Sequence, residues 1–132
     1  MITTQSKQYT YFVFRIMVGF AFLLHGGQKL FGWFSDNGPV ELASQMGAAG
    51  IIEFFGGLFI MLGLFVSVTA LITALEMAVA YFQAHVPSGS FLPLVNRGEA
   101  VWLFFAAFLV LFSYGAGKWG LEKALLKKEI MH

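Results

Sequence analysis

The chain has 132 residues, 58% of them hydrophobic and only 11% charged, with a mean hydropathy of +0.76; about 25% charged residues is usual for a water-soluble domain, so a soluble globular fold is excluded. A net charge of +1, from eight Lys or Arg against seven Asp or Glu, excludes a nucleic-acid partner recruited by bulk electrostatics. The lack of cysteine excludes thiol–disulfide exchange, thiolate-held iron–sulfur clusters and cysteine zinc sites, so any redox role needs another carrier.

A helix crosses the bilayer core in about 20 residues, and the apolar runs are long enough for an all-α membrane protein, a single four-helix transmembrane bundle. The first span is expected over 11–34, ending at the turn formers Ser35, Asp36, Asn37, Gly38 and Pro39. It carries Arg15, His25 and Lys29 and is followed by no small-residue cleavage site, so it reads as a retained span and not a signal peptide. A second span is expected over 48–65 and a third, after a short break, over 67–85. Pro87, Ser88, Gly89, Pro93 and Asn96 make the next segment a loop, and the fourth span is expected over 98–115. The tail, 118–132, alternates charged residues with Leu121, Leu125 and Ile130 and is expected to lie along the membrane surface.

Four spans place both termini on one side. Lys7, Lys118, Lys123, Lys127 and Lys128 flank that side and Arg97 the other, an imbalance that predicts cytoplasmic termini; in a prokaryotic cell the membrane would be the inner one. Trp33, Trp119, Tyr9 and Tyr11 fall at span ends, where an aromatic belt belongs. Ala70, Ala74 and Ala78, with Gly56, Gly57 and Gly63, are small residues for close helix packing. The string Gly115-Ala-Gly117-Lys-Trp-Gly120 matches a dinucleotide fingerprint but follows an apolar helix where a strand would be needed, and carries no such function.

An ionisable side chain inside a span costs about 2.5–3.5 kcal/mol on insertion scales and therefore calls for a partner, a cavity or a job. At ~100° per residue, Arg15, His25 and Lys29 share an arc of about 80° on the first span, with Gln28 at its edge. Gly50, Glu53 and Gly57 share a face of the second span, and Thr69, Thr73, Glu76, Ala80 and Gln83 one of the third. His25, Gln28, Lys29, Glu53, Gln83, His85 and Glu99 are expected in the outer half of the membrane and Glu76 near the midplane. Lys29 and Glu53 are the expected ion pair, either packing glue or part of a site. Arg15 has no acidic partner at its depth and is expected to snorkel toward the inner face. No metal site is expected; the histidines stand in no context that asks for haem.

The strings Leu24-His25-Gly26-Gly27-Gln28-Lys29-Leu30-Phe31-Gly32, Glu53-Phe54-Phe55-Gly56-Gly57-Leu58, Leu75-Glu76-Met77 with Ala80-Tyr81-Phe82, and Asn96-Arg97-Gly98-Glu99 resemble the DoxX family over about Phe12 to Leu121. The resemblance implies a four-helix membrane bundle and an association with membrane oxidoreductases, since the family takes its name from a subunit associated with a thiosulfate:quinone oxidoreductase. It points to His25, Gln28, Lys29, Glu53 and Glu76 as the site. Reducing a quinone demands hydrogen-bond donors at its carbonyl oxygens and a route for protons. His25, Gln28, Lys29 and Gln83 are the ligand-binding candidates, and Glu53 and Glu76 the proton-handling ones. Electrons would come through a quinone or a redox-protein partner's cofactor. The alternatives are a non-enzymatic scaffold or assembly partner, for a redox protein or for further copies of the chain, and a conductor of protons or small solutes.

Overall fold

The computed structural model describes residues 2–130, and side chains as far as 125. Six α-helices follow in chain order: α1 (Thr4–Phe31), α2 (Gln45–Leu62), α3 (Val66–Ala80), α4 (Pro93–Asn96), α5 (Glu99–Tyr114) and α6 (Leu121–Ile130). No strand occurs among the described residues. Helices α1 and α2, and α3 with its continuation to Ser88, are long and apolar enough to cross a membrane, and α5 is a shorter apolar helix. The fold is thus all-helical, with three to four candidate spans.

Local chemistry sets the boundaries. α1 begins at Thr4 and not near 11, because Thr3 is its N-cap and its side chain accepts from the Ser6 N–H. It stops at Phe31, short of 34, where Gly32 takes a left-handed conformation and returns its N–H to the Gln28 carbonyl. Ser44 caps α2 through the Gly47 N–H. After Ala80 the third helix widens into a π-turn over Tyr81–His85, and the GxGxxG string forms the turn between α5 and α6, with Gly115 and Gly117 at positive φ.

α1 packs most extensively on α2, α3 packs on both α2 and α5, and α1 meets α5 only lightly. Glycine makes the α1–α2 approach possible. A Cβ on Gly19 would stand 2.7 Å from the Gly57 carbonyl oxygen, one on Gly57 2.5 Å from the Leu23 nitrogen, and one on Gly26 would enter the Phe54 backbone. Phe22, Ile60, Val66, Ala70, Ala74, Met77, Phe108 and Leu111 form the buried core, while Met17, Phe20, Phe55 and Leu75 point outward. An outward apolar face with an inward polar one is what a bilayer requires. Tyr11 donates to the Gly115 carbonyl and Tyr9 stacks on Trp119, so the start of α1 and the end of α5 lie at the same end of the bundle.

At the opposite end Asn96, 4% exposed, organises the loop before α5. Its Nδ2 donates to the Tyr81 hydroxyl at 3.0 Å and the Ser90 carbonyl at 2.9 Å, and its Oδ1 accepts from the Gly98 N–H at 2.8 Å. His85 Nδ1 lies 3.2 Å from the Asn96 carbonyl oxygen. Asn96→Ala strands these buried partners and is expected to lower stability by about 1–3 kcal/mol. Thermal unfolding in detergent measures the loss, and hydrogen exchange should show it concentrated between residues 81 and 98; unchanged protection there would contradict the role.

Candidate functional site

The antiparallel packing of α2 and α3 places Gly56 against Thr73, where an added Cβ would lie 3.0 Å from the threonine methyl. One turn along, the same register sets Glu53 opposite Glu76. On the other flank, Lys29 of α1 crosses Gly50, whose Cβ would stand 3.0 Å from the lysine Cβ. Lys29 Nζ then donates to Glu53 Oε1 at 2.6 Å, the side chains being 18% and 4% exposed. Three helices therefore contribute to one line of groups, Lys29, Glu53 and Glu76.

Charge along this line does not balance, since one ammonium meets two carboxyl groups. Glu76 Oε1 is buried with no hydrogen-bond donor. A buried acceptor left without a donor costs about 1–3 kcal/mol. Glu76, expected near the midplane, lies across from the acid of the neighbouring helix.

His25 lies one helical turn before Lys29 and is exposed. Its ring meets Phe104 edge-on at 5.5 Å, and it makes no side-chain hydrogen bond among the described residues. Phe22, Phe104 and Phe108 fill the α1–α5 seam below it, with centroid separations of 5.2 Å for Phe22–Phe104 and 4.7 Å for Phe22–Phe108. Gln28 is exposed on the same end of α1. Trp33 folds back over Gly27, where no Cβ would fit, and packs on Phe54. The wall that sequence reasoning missed is Phe104 with Phe108, whose four-residue spacing on α5 was the available signal.

Other polar residues lie elsewhere. Gln83 accepts from Gln45 Nε2 and is exposed, outside the three-helix line. His85 belongs to the Asn96 loop, and Glu99 is an exposed first-turn residue of α5. No group of three or more metal-ligating side chains occurs among the described residues.

Arg15 corrects the snorkelling expectation. It is 1% exposed and donates to the carbonyl oxygens of Ala116, Met61 (3.2 Å) and Trp119 (3.0 Å), with its guanidinium 5.2 Å from the Phe12 ring centroid. The last carbonyls of a helix lack intrahelical donors and carry partial negative charge. An arginine placed among such carbonyls needs no carboxylate, because its planar fork reaches several of them at once.

The DoxX family model matches residues 10–86, from α1 through the π-turn and so including every member of the His25, Lys29, Glu53 and Glu76 group; the Asn96–Glu99 string lies outside it. An uncharacterized protein of Haemophilus influenzae is 36% identical over 124 residues, covering 86% of this chain and 89% of that one. No solved structure matches the chain. With the family motifs lying on the helices that build the polar line, and apolar faces turned outward around it, this chain is an integral membrane protein that belongs to the DoxX family.

Proposed function

We propose that this DoxX-family protein is a subunit of a quinone-linked membrane oxidoreductase, with its site at the upper end of the α1–α5 seam. The observation that carries the reading is the unbalanced Lys29–Glu53–Glu76 line, whose buried Glu76 oxygen lacks a donor, next to an exposed His25 that meets Phe104 at the α1–α5 boundary. A lipid-soluble ring reaches that boundary from the bilayer without crossing the bundle.

The residues fit a quinone head group. His25 meets Phe104, which supplies an apolar wall, Gln28 is exposed one turn on with an uncommitted amide, and Lys29 fixes Glu53. A bound quinone supplies an acceptor for two electrons and two protons. The chain contributes hydrogen bonds from His25 and Gln28 and a proton store at Glu53 and Glu76, linked to the surface through the Lys29 side. Electrons enter from a redox-protein partner, as the cysteine-free sequence requires some carrier outside its own thiols. The lysine imbalance between the two ends of the bundle supports cytoplasmic termini; in a prokaryotic cell the membrane is then the inner one. Gln83 takes no part, because its amide is engaged with Gln45.

A scaffold reading draws on the Arg15 lock and the glycine seam, which account for packing without chemistry. Extraction in mild detergent, followed by mass spectrometry and visible absorption of what co-purifies, separates the two. A stoichiometric quinone that disappears in His25→Ala supports the redox site. A colourless bundle without quinone that retains its interaction with a redox protein supports a docking subunit and overturns the quinone site.

A further inference from the structure

α1 is long for a single crossing: its 28 residues measure about 42 Å at 1.5 Å each, against a hydrocarbon core of about 30 Å. The surplus lies at its start. Tyr11 is level with the end of α5 through its bond to the Gly115 carbonyl, and Arg15 is level with the end of α2 through the Met61 carbonyl. The turns before Tyr11 therefore stand beyond the neighbouring helices, at headgroup depth.

The tail folds back beside them. Gly120 sits against Gly63, whose Cβ would lie 2.5 Å from the Gly120 Cα. The Glu122 N–H donates to the Gly63 carbonyl, and Glu122 Oε2 accepts from the Phe65 N–H at 3.0 Å. These contacts dock the start of α6 on the α2–α3 turn and open a cleft of about 1240 Å³ between α6 and α1. Lys7, Lys118 and Lys123 line it together with Tyr11, Tyr114 and Trp119, and no Asp or Glu among the described residues does. None of the three ammonium groups forms a salt bridge among the described residues; Lys118 lies over the Trp119 ring at 5.5 Å. Glu122, the nearest acid on α6, is turned away to Phe65.

We infer that this cleft binds the phosphodiester headgroup of an anionic phospholipid, with Lys7, Lys118 and Lys123 around the phosphate and the tyrosines and tryptophan against the glycerol and upper acyl carbons. Three cations lining one cleft with no described carboxylate beside them call for an anion. Lysines beside a membrane-spanning helix each contribute about 1 kcal/mol toward anionic lipid, and Tyr and Trp are the side chains suited to the boundary between headgroup and acyl chain. A soluble phosphate would satisfy the cations but leave the aromatic wall, including the 74% exposed Tyr114, without an occupant.

The test is native mass spectrometry of the full chain in neutral detergent, titrated with dioleoylphosphatidylglycerol, dioleoylphosphatidylcholine or inorganic phosphate. Phosphatidylglycerol should bind at a concentration at least roughly tenfold lower than phosphatidylcholine. The Lys7→Gln/Lys118→Gln/Lys123→Gln variant should lose that preference at an unchanged melting temperature, while Arg97→Gln at the other end keeps it. Equal binding of the two lipids, or a preference surviving in a folded triple variant, would overturn the inference. Displacement of phosphatidylglycerol by an equal concentration of inorganic phosphate would overturn it too, assigning the cleft to a soluble anion. The lipid comparison on the parent protein decides the matter even if the triple variant does not fold.

Discussion

Arg15→Met is expected to lower the stability of the protein by about 3 kcal/mol or more, because it leaves the Met61, Ala116 and Trp119 carbonyls without their shared donor. Removing a charge from the bundle returns part of its insertion cost, but the acceptors stay where the backbone put them. Those carbonyls join the end of α2 to the turn after α5, so the loss should appear first as detachment of that turn and of α6. Arg15→Lys keeps the charge but replaces a planar fork by a single ammonium, and should recover only part of the stability. Unfolding followed by tryptophan fluorescence reads both variants, with Trp119 inside the affected turn. A methionine variant as stable as the parent would show that the carbonyls find other donors.

Lys29→Met is expected to be the more damaging of the site substitutions, at about 3–5 kcal/mol, since it leaves Glu53 buried beside Glu76 with no cation. Adding Glu53→Leu should recover most of the loss, because removing a buried pair whole costs less than breaking it. The double variant then carries only Glu76 of the three-residue line. If the single and double changes destabilise equally, the ion pair is not the element that holds α1 to α2 at this depth. Folding of the double variant also separates the two functional readings: a scaffold keeps its partner, whereas a quinone site loses its ligand.

Much of this organisation is legible in the sequence. The apolar runs, the turn formers after Phe31 and the loop prolines mark the helices, and Lys29 with Glu53 can be matched by depth because each is the only ion of its sign near that level of its helix. The rest depends on tertiary register. Nothing local says that Glu76 will meet Glu53: that follows from Gly56 seating against Thr73, a contact between helices. Backbone carbonyls have no sequence signature, so a search for a carboxylate near Arg15 finds nothing and suggests snorkelling. The early start of α1 is hidden for the opposite reason, since Gln5, Ser6, Lys7 and Gln8 are polar and only the Thr3 cap announces the helix. Gln83 shared a helical face with Glu76 in projection, but the π-turn beginning at Tyr81 shifts the residues after it around the axis, and its amide meets Gln45 instead.

The most direct test of the proposed site is a binding titration of the purified protein with a short-chain benzoquinone, run in parallel on His25→Ala and Glu76→Gln. Saturable binding of one molecule per chain, weakened roughly tenfold or more by either substitution in folded protein, is the predicted result, each change removing a hydrogen-bonding or proton-holding group worth about 1.4 kcal/mol or more. Absence of saturable binding to the parent, or binding indifferent to both substitutions, would contradict it and leave the polar line of α1, α2 and α3 as packing alone.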